Sequence, residues 1–452
     1  MHVFSTKVSD LKFENRLVPA LYYYSQQIKK QNIADGIRYI TLGDYASISD
    51  GEHSAIPRNS KGGIRYLYGR NIKEGIIDFD PISDDSYIDE KDYEKIERCH
   101  IKQNDVLIAI YGTVGKSAVY KSEYVGIAGI PRHISNISIN KDAPFTPEYL
   151  TIFFRSKYGK WQMYSLMTGN IQQLLSLKNL REFDVPLVNE ETMDKLTVKE
   201  KEALEYEIEA QTLINEARKI LYSHLGFDVK KIKRDFVFSI NSKRLFENNI
   251  WSTSFYDCLY VKMEKAIKER SDYVTIRDIC EIIHGDEVGS DSYKTFLERD
   301  MTKDKPFVRT SDIVNYEADL YPDYYISPEL CCSQEVKEGD VLFTKDGKIG
   351  CTALVTTADR MMISSGIERL RLNSKAAKSG LTQEYLFMVM STPEIGRYGA
   401  IRRTVVASTI PHLREERLRD IVIPIIDDEA IVTITKMVKK AFLLKAKRKQ
   451  LI

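Results

Sequence analysis

Gly115-Lys116-Ser117, inside IAIYGTVGKSAVY (108–120), has the residue types that end a phosphate-cradling loop. Such a loop needs G-x-x-x-x-G-K-[ST], because successive backbone N–H groups wrap the phosphates while the lysine reaches the outer ones. Ile110 stands where the first glycine belongs. A second stretch, LFTKDGKIGCTALV (342–355), has Cys351 and Thr352 where the first has Lys116 and Ser117. The shared feature is a glycine pair between two apolar runs, which predicts a β-hairpin with tight backbone geometry rather than a nucleotide grip. Pro322-Asp323 followed by Glu335-Val336-Lys337 fits the permissive pattern of metal-dependent nucleases, whose carboxylates hold Mg²⁺. The corresponding text of the first half, DYEKIERCHIKQND, lacks the trio. No Asn/Asp-Pro-Pro-Tyr/Phe motif, Gly-rich S-adenosylmethionine loop or Gly-x-Ser-x-Gly elbow is present. The expectation is a chain without catalytic, cofactor-binding or metal-binding residues of its own.

The elements that must carry these residues occur twice. NDVLIAIYGTVGKSAVY lies over GDVLFTKDGKIGCTALV without a gap. On either side, in the same order, RYITLGDYASISDG (38–51) resembles DYVTIRDICEIIHG (272–285), and GIRYLYGRNIKEG (63–75) pairs with KPFVRTSDIVNYE (305–317). YLTIFFRSKYGKW (149–161) then pairs with YLFMVMSTPEIGRY (385–398), and LLSLKNLREFDVPLVNEE (174–191) with STIPHLREERLRDIVIPIIDDE (408–429). Several weak matches in one order define an internal repeat.

Each β-rich copy is followed by helical text. Ala203, Tyr206, Ala210, Leu213, Ala217 and Ile220 recur at spacings of three and four, as do Ile431, Ile434, Val438 and Ala441 before the terminal KAKRKQLI. Each helix has one apolar stripe, so the two are expected to pack together as an antiparallel coiled coil.

With 452 residues, the chain exceeds one ordinary core. Apolar content of 43% and charged content of 29% are those of a globular protein. No apolar run approaches a membrane span, and no signal peptide is expected. The six cysteines form no C-x-x-C pair, Cys331 and Cys332 are adjacent, and the seven histidines are scattered. A reducing cytoplasm without a zinc site is the expected setting. The net charge of +1 predicts no polyanion partner globally, though local charge decides such binding. Many of the 27 tyrosines stand beside basic residues.

The doubled (N/G)DVL…G-x-(V/I)G, the GIRYLYGRNI-like segment before it, the closing (V/I)P(L/I) and the long helix after it resemble the specificity (S) subunit of type I restriction–modification enzymes. The resemblance covers nearly the whole chain. Pro186 and Pro424 remain, followed by VNEE and IDDE where the family commonly has a proline-rich stretch and a Glu-Gln pair. It implies an α+β fold with two β-rich target-recognition domains separated by long antiparallel coiled-coil helices and related by an internal pseudo-twofold. The implied division is a helical lead-in (1–36), target-recognition domain 1 (37–190), a central spacer helix (191–226), a second lead-in (227–272), target-recognition domain 2 (273–426) and a C-terminal spacer helix (427–452). A helix of about 32 residues spans roughly 48 Å, or about 14 base pairs.

Each head would read one half of a bipartite double-stranded DNA site, while the helices dock methyltransferase (M) subunits, two by symmetry, and restriction (R) subunits where these exist. S-adenosylmethionine, ATP and Mg would belong to those partners. Two alternatives stay open: a related two-site system with a fused nuclease-methyltransferase partner, and a non-DNA protein-binding scaffold.

DNA contact needs basic, amide or aromatic side chains on loops of the heads. In the first head these are His53, Arg58, Lys61, Arg65, Tyr68, Arg70, Asn71, Tyr111, Lys116, Arg132, His133, Gln172 and Gln173. In the second they are Arg309, Thr310, Ser311, Lys345, Lys348, Arg402, Arg403, Ser408 and His412, with the paired arginines 402–403 favoured and Lys345-Asp346 also readable as turn chemistry. The bland alternative for each is a solvated loop charge.

Overall fold

A computed structural model of the chain describes residues 22–59, 62–78, 87–112, 114–169, 173–226, 237–248, 250–296, 298–330, 336–406 and 410–451. Lys61, Gln172, Ser408 and Glu335 lie outside the described residues. The chain divides into two compact units between Leu204 and Glu205, a boundary inside the helix Glu190–Leu225.

The first unit contains β1 (Arg38–Thr41), β2 (Ala46–Asp50), β3 (Ile64–Tyr66), β4 (Tyr87–Ile88), β5 (Val106–Ala109), β6 (Ser117–Val119), β7 (Ala128–Gly129), β8 (Ile134–Ile139) and β9 (Asp184–Leu187). The sheet orders are β2-β8-β5-β6, β4-β3-β7 and β1-β9. Strand β5 is buried on both faces, and its period-2 alternation assigns Val106 and Ile108 to one core and Leu107 and Ala109 to another. The first core packs against the helix Pro147–Arg155 through Phe153 and Phe154.

The second unit contains β10 (Asp272–Thr275), β11 (Cys280–His284), β12 (Lys305–Val308), β13 (Ile313–Val314), β14 (Glu317–Ala318), β15 (Tyr324–Ile326), β16 (Val341–Thr344), β17 (Thr352–Leu354), β18 (Met362–Ile363), β19 (Ile367–Leu372), β20 (Val405–Val406), β21 (Pro411–His412) and β22 (Val422–Ile425). Its orders β11-β19-β16-β17, β15-β12-β18 and β10-β22 are those of the first unit. Among the described residues, the parallel strand pairing is shared as well, β3 with β7 and β12 with β18.

Side-chain details repeat too. Thr146 caps its helix by accepting from Tyr149 N at 3.1 Å, and Thr382 does the same for Tyr385. The hydroxyls of these tyrosines donate to Pro186 O and Pro424 O, at 2.7 and 2.9 Å. A Cβ on Gly51 or Gly285 would lie 2.1 Å from the backbone oxygen of Ile130 or Ser364, so both positions require glycine.

Within the second unit, the segment from Glu205 to Leu225 runs antiparallel to the helix Asp428–Leu451. His224 Nε2 lies 2.8 Å from Asp427, Lys440 2.7 Å from Glu209, and Lys445 2.6 Å from Glu207. Ile431, Ile434, Val438 and Ala441 are buried as expected. On the part of the central helix within the second unit the seam is Glu207, Ala210, Ile214, Ala217 and Leu221, and Ala203 is buried within the first unit's part. Tyr206, Leu213 and Ile220 are therefore corrected by one position, because the alternating four- and three-residue steps bring Glu207 inward.

That carboxylate belongs to a buried ionic cluster. Glu207, Glu317 and Asp359 face Lys445, Arg448 and Lys449, all nearly inaccessible. Lys449 bridges Asp359 at 2.7 Å and Glu317 at 3.2 Å, Arg448 joins Glu317 and Glu207, and Lys445 reaches Glu207. Burial alone would raise the Glu317 carboxyl, but Arg448, Lys445 and Lys449 outweigh it and hold it well below the usual range.

Candidate nucleic-acid interface

The glycine hairpins form as expected in both units. Gly112 and Gly115 have φ of +77° and +89°, and Gly347 and Gly350 have +62° and +86°. Each hairpin sits between the same two segments. Ile110 N donates to His133 O and Ile110 O accepts from Leu175 N; Lys345 N donates to Gly366 O and Lys345 O accepts from Leu413 N. Gly115 N donates to Ala109 O and Ala109 N to Lys116 O, so these two amides face the hairpin's own carbonyls rather than a phosphate.

Around the first hairpin the structure gathers a basic and aromatic rim. The Arg58 guanidinium lies 4.5 Å from the Tyr68 ring centroid and Arg70 lies 4.2 Å from it, so one ring carries two cations. Arg58 also covers Tyr66 at 4.8 Å. The rings of Tyr111 and His133 are 5.2 Å apart. Burial, then Arg132 and Arg58, push the His133 imidazole below its usual range and favour its neutral form. Arg70 and Arg132 are exposed, as is Gln173, beside the Tyr111–Leu174 bridge. Among the described residues, no carboxylate pairs with Arg58, Arg70 or Arg132. His53 is exposed and bonds Asp50 at 2.8 Å, and Arg98, which sequence reasoning missed, pairs with the same carboxylate.

Three expected first-head contacts are corrected. Arg65 is buried in β3 and donates to Asp78 O. Asn71 is buried, and its Oδ1 accepts from Tyr68 N at 2.7 Å. Lys116 is buried at the foot of the hairpin. A side chain enclosed in this way cannot reach a base edge without unfolding its own strand.

The second head differs in charge. Arg309 stacks on Tyr324 at 4.3 Å but also lies 3.7 Å from Asp323. Thr310 is half-buried and Ser311 exposed. Lys345 pairs with the buried Glu368 at 2.6 Å, and Lys348 donates to Ile313 O at 3.0 Å. His284 bridges Glu368 and Glu415, at 2.7 and 3.0 Å, and His412 bonds Asp346.

The favoured arginine pair is also corrected. Arg403 is buried, Arg402 nearly so, and both bind Glu264 of the helix Cys258–Arg270, at 2.9 and 2.6 Å. Burial would raise the Glu264 carboxyl, yet Arg403, Arg402 and Lys268 bring it down to about 2. The adjacent guanidiniums anchor a helix because their partner lies 139 residues earlier in the chain, where sequence inspection has no cue to it.

Asp323 of the nuclease-like pattern sits by Arg309, and among the described residues no group of three His, Cys, Asp or Glu is placed to hold a metal ion. Among the same residues, no helix is long and apolar enough to cross a membrane.

The two units repeat one arrangement of sheets around a glycine hairpin, so the chain is built by duplication. Residues 268–452 match the family model described as type I restriction modification DNA specificity domain. No curated protein matches the chain. Among solved structures, the type I restriction-modification S subunit from M. genitalium is 11% identical, with 92% of this chain and 91% of that chain covered and a TM-score of 0.32. A structure described as underlying complex assembly and conformational transition of the type I R-M system is 14% identical (92% and 93% covered, TM-score 0.28). The HsdS subunit from Thermoanaerobacter tengcongensis is 15% identical (92% and 94%, TM-score 0.28). The matched residues contain the second repeat, and the first unit repeats its four-stranded, three-stranded and two-stranded orders β11-β19-β16-β17, β15-β12-β18 and β10-β22.

Proposed function

We propose that each head reads one half of a bipartite duplex site, that the helices set the distance between halves, and that the same helices dock two methyltransferase subunits and, where the system has one, a restriction subunit. S-adenosylmethionine, ATP and Mg²⁺ serve those partners, in the cytoplasm. The observation that supports this reading most is the rim of Arg58, Arg70 and Arg132 around Tyr68, Tyr111 and His133. Guanidinium groups without carboxylate partners suit phosphate oxygens and guanine edges, and neutral imidazole and phenol groups can donate or accept at bases.

The test is co-expression with the neighbouring methyltransferase and mapping of modified adenines. A two-part motif is expected, and exchanging residues 37–190 for another head should alter one half only. Alteration of both halves would refute modular reading. Duplex binding absent at low salt, both alone and with the methyltransferase, would favour the protein scaffold. A fused nuclease-methyltransferase partner would yield the same motif, with cleavage and methylation on one chain.

A further inference from the structure

Tyr111 and Asp346 occupy the same place in the two heads. Each follows the hairpin residue held between the same two segments, and each forms a bridge to the returning loop, Tyr111 with Leu174 and Asp346 with His412. Beyond each lies a glycine whose added Cβ would meet nothing within 4 Å, so both hairpin tips face open space. The chemistry at this shared point is opposite: an aromatic hydroxyl in one head, a carboxylate in the other. The neighbouring turn changes with it. Arg132-His133 before β8 become Ser365-Gly366 before β19, which removes a cation and an aromatic ring from beside the carboxylate.

Turn-capping does not account for Asp346. Asp340, six residues earlier, shows that role, accepting from Lys337 N at 2.8 Å and pairing with Arg371. The Asp346 side chain accepts from His412 Nδ1 alone among the described residues. It keeps 29% of its side-chain surface, so one oxygen is held in place while the other can accept from outside. Lys345, the adjacent cation, is directed to Glu368 instead. A carboxylate held at a rim that meets DNA is repelled by phosphate and matches a donor. In the major groove the donors are the exocyclic amino groups, N4 of cytosine and N6 of adenine.

We propose that Asp346 is a base-reading residue of the second head, accepting a hydrogen bond from a cytosine or adenine amino group in its half-site, with His412 as the residue that positions it. This rests on the reading that the hairpin rims face DNA.

The experiment is selection and sequencing of bound duplexes from a random pool, using the full subunit assembled with its methyltransferase. Asp346→Leu and Asp346→Ala, neither of which keeps an acceptor, are compared with the wild type. One cytosine or adenine position in the second half-site should lose roughly 10- to 100-fold of its discrimination. The first half-site should be unchanged, and non-specific binding should not weaken, because a negative charge is removed. His412→Asn, which keeps a donor at the Nδ1 position, should preserve the wild-type preference, whereas His412→Ala relaxes the same position. An unchanged second half-site in Asp346→Ala overturns the proposal, as does uniform loss at every position with a lowered melting temperature. Should the wild type itself select no two-part motif, the DNA reading fails first, an outcome distinct from a motif insensitive to Asp346.

Discussion

Replacing Glu317 by Gln should destabilise the second unit by more than any change at its rim. The wild-type cluster balances three buried anions, Glu207, Glu317 and Asp359, against three buried cations, Lys445, Arg448 and Lys449. Glu317 meets Arg448, lies 3.2 Å from Lys449 and 3.8 Å from Lys445, so the amide leaves one uncompensated positive charge with no route to water. Breaking a buried ion pair by removing one partner costs about 3–5 kcal/mol, and we expect a value in that range. Urea unfolding followed by circular dichroism measures it, with hydrogen exchange along Asp428–Leu451 as the local readout. Glu317→Gln combined with Lys449→Met restores the balance and should recover part of the loss. The pH dependence follows in sign. The folded Glu317 carboxyl lies below its ordinary 4.5, so its contribution is complete above that value and is lost as pH falls below it toward the folded value. A loss under about 1 kcal/mol for Glu317→Gln would show that water or rearrangement neutralises the cluster, and would refute the argument.

Glu264→Gln should lower stability by about 3 kcal/mol, because two nearly buried guanidiniums lose their common carboxylate, and it should leave DNA affinity unchanged. The Glu264 contribution is complete above its ordinary 4.5 and disappears as pH falls through about 2, which acid titration of the melting temperature checks. Arg58→Ala, Arg70→Ala and Arg132→Ala should each reduce the log–log salt slope of duplex binding by about 0.9 if the side chain meets a phosphate. Tyr68→Leu removes the plate under Arg58 and Arg70 and should cost about 0.5–1 kcal/mol of binding per cation in titrations at fixed salt. Gly115→Ala should destabilise the first head by at least about 1–2 kcal/mol, since φ there is +89° and the new Cβ would lie 2.6 Å from Met163 Sδ.

The repeat, the strands, the glycine hairpins and the two helical stripes were legible in the sequence because each depends on neighbours a few residues away. A positive φ demands glycine locally, and a strand or helix periodicity is written in its own text. The specificity-subunit resemblance rested on the order of those local signals. Arg58, Tyr68, Arg70, Arg132 and His133 were legible as candidates, since basic and aromatic residues on turn-rich loops announce themselves.

What each charge does was settled only in three dimensions. Glu207 reads as an exposed helix residue until Lys445, 238 positions later, is packed against it. Arg402 and Arg403 read as a DNA-binding pair until Glu264 comes within 3 Å. Asp346 reads as a turn residue until its side chain is seen to bond His412 and no turn amide. Sequence sets local backbone geometry and hydrophobic period, both short-ranged. Whether a charge meets water, a partner or a ligand depends on burial and on residues distant in the chain, and only the folded arrangement determines that.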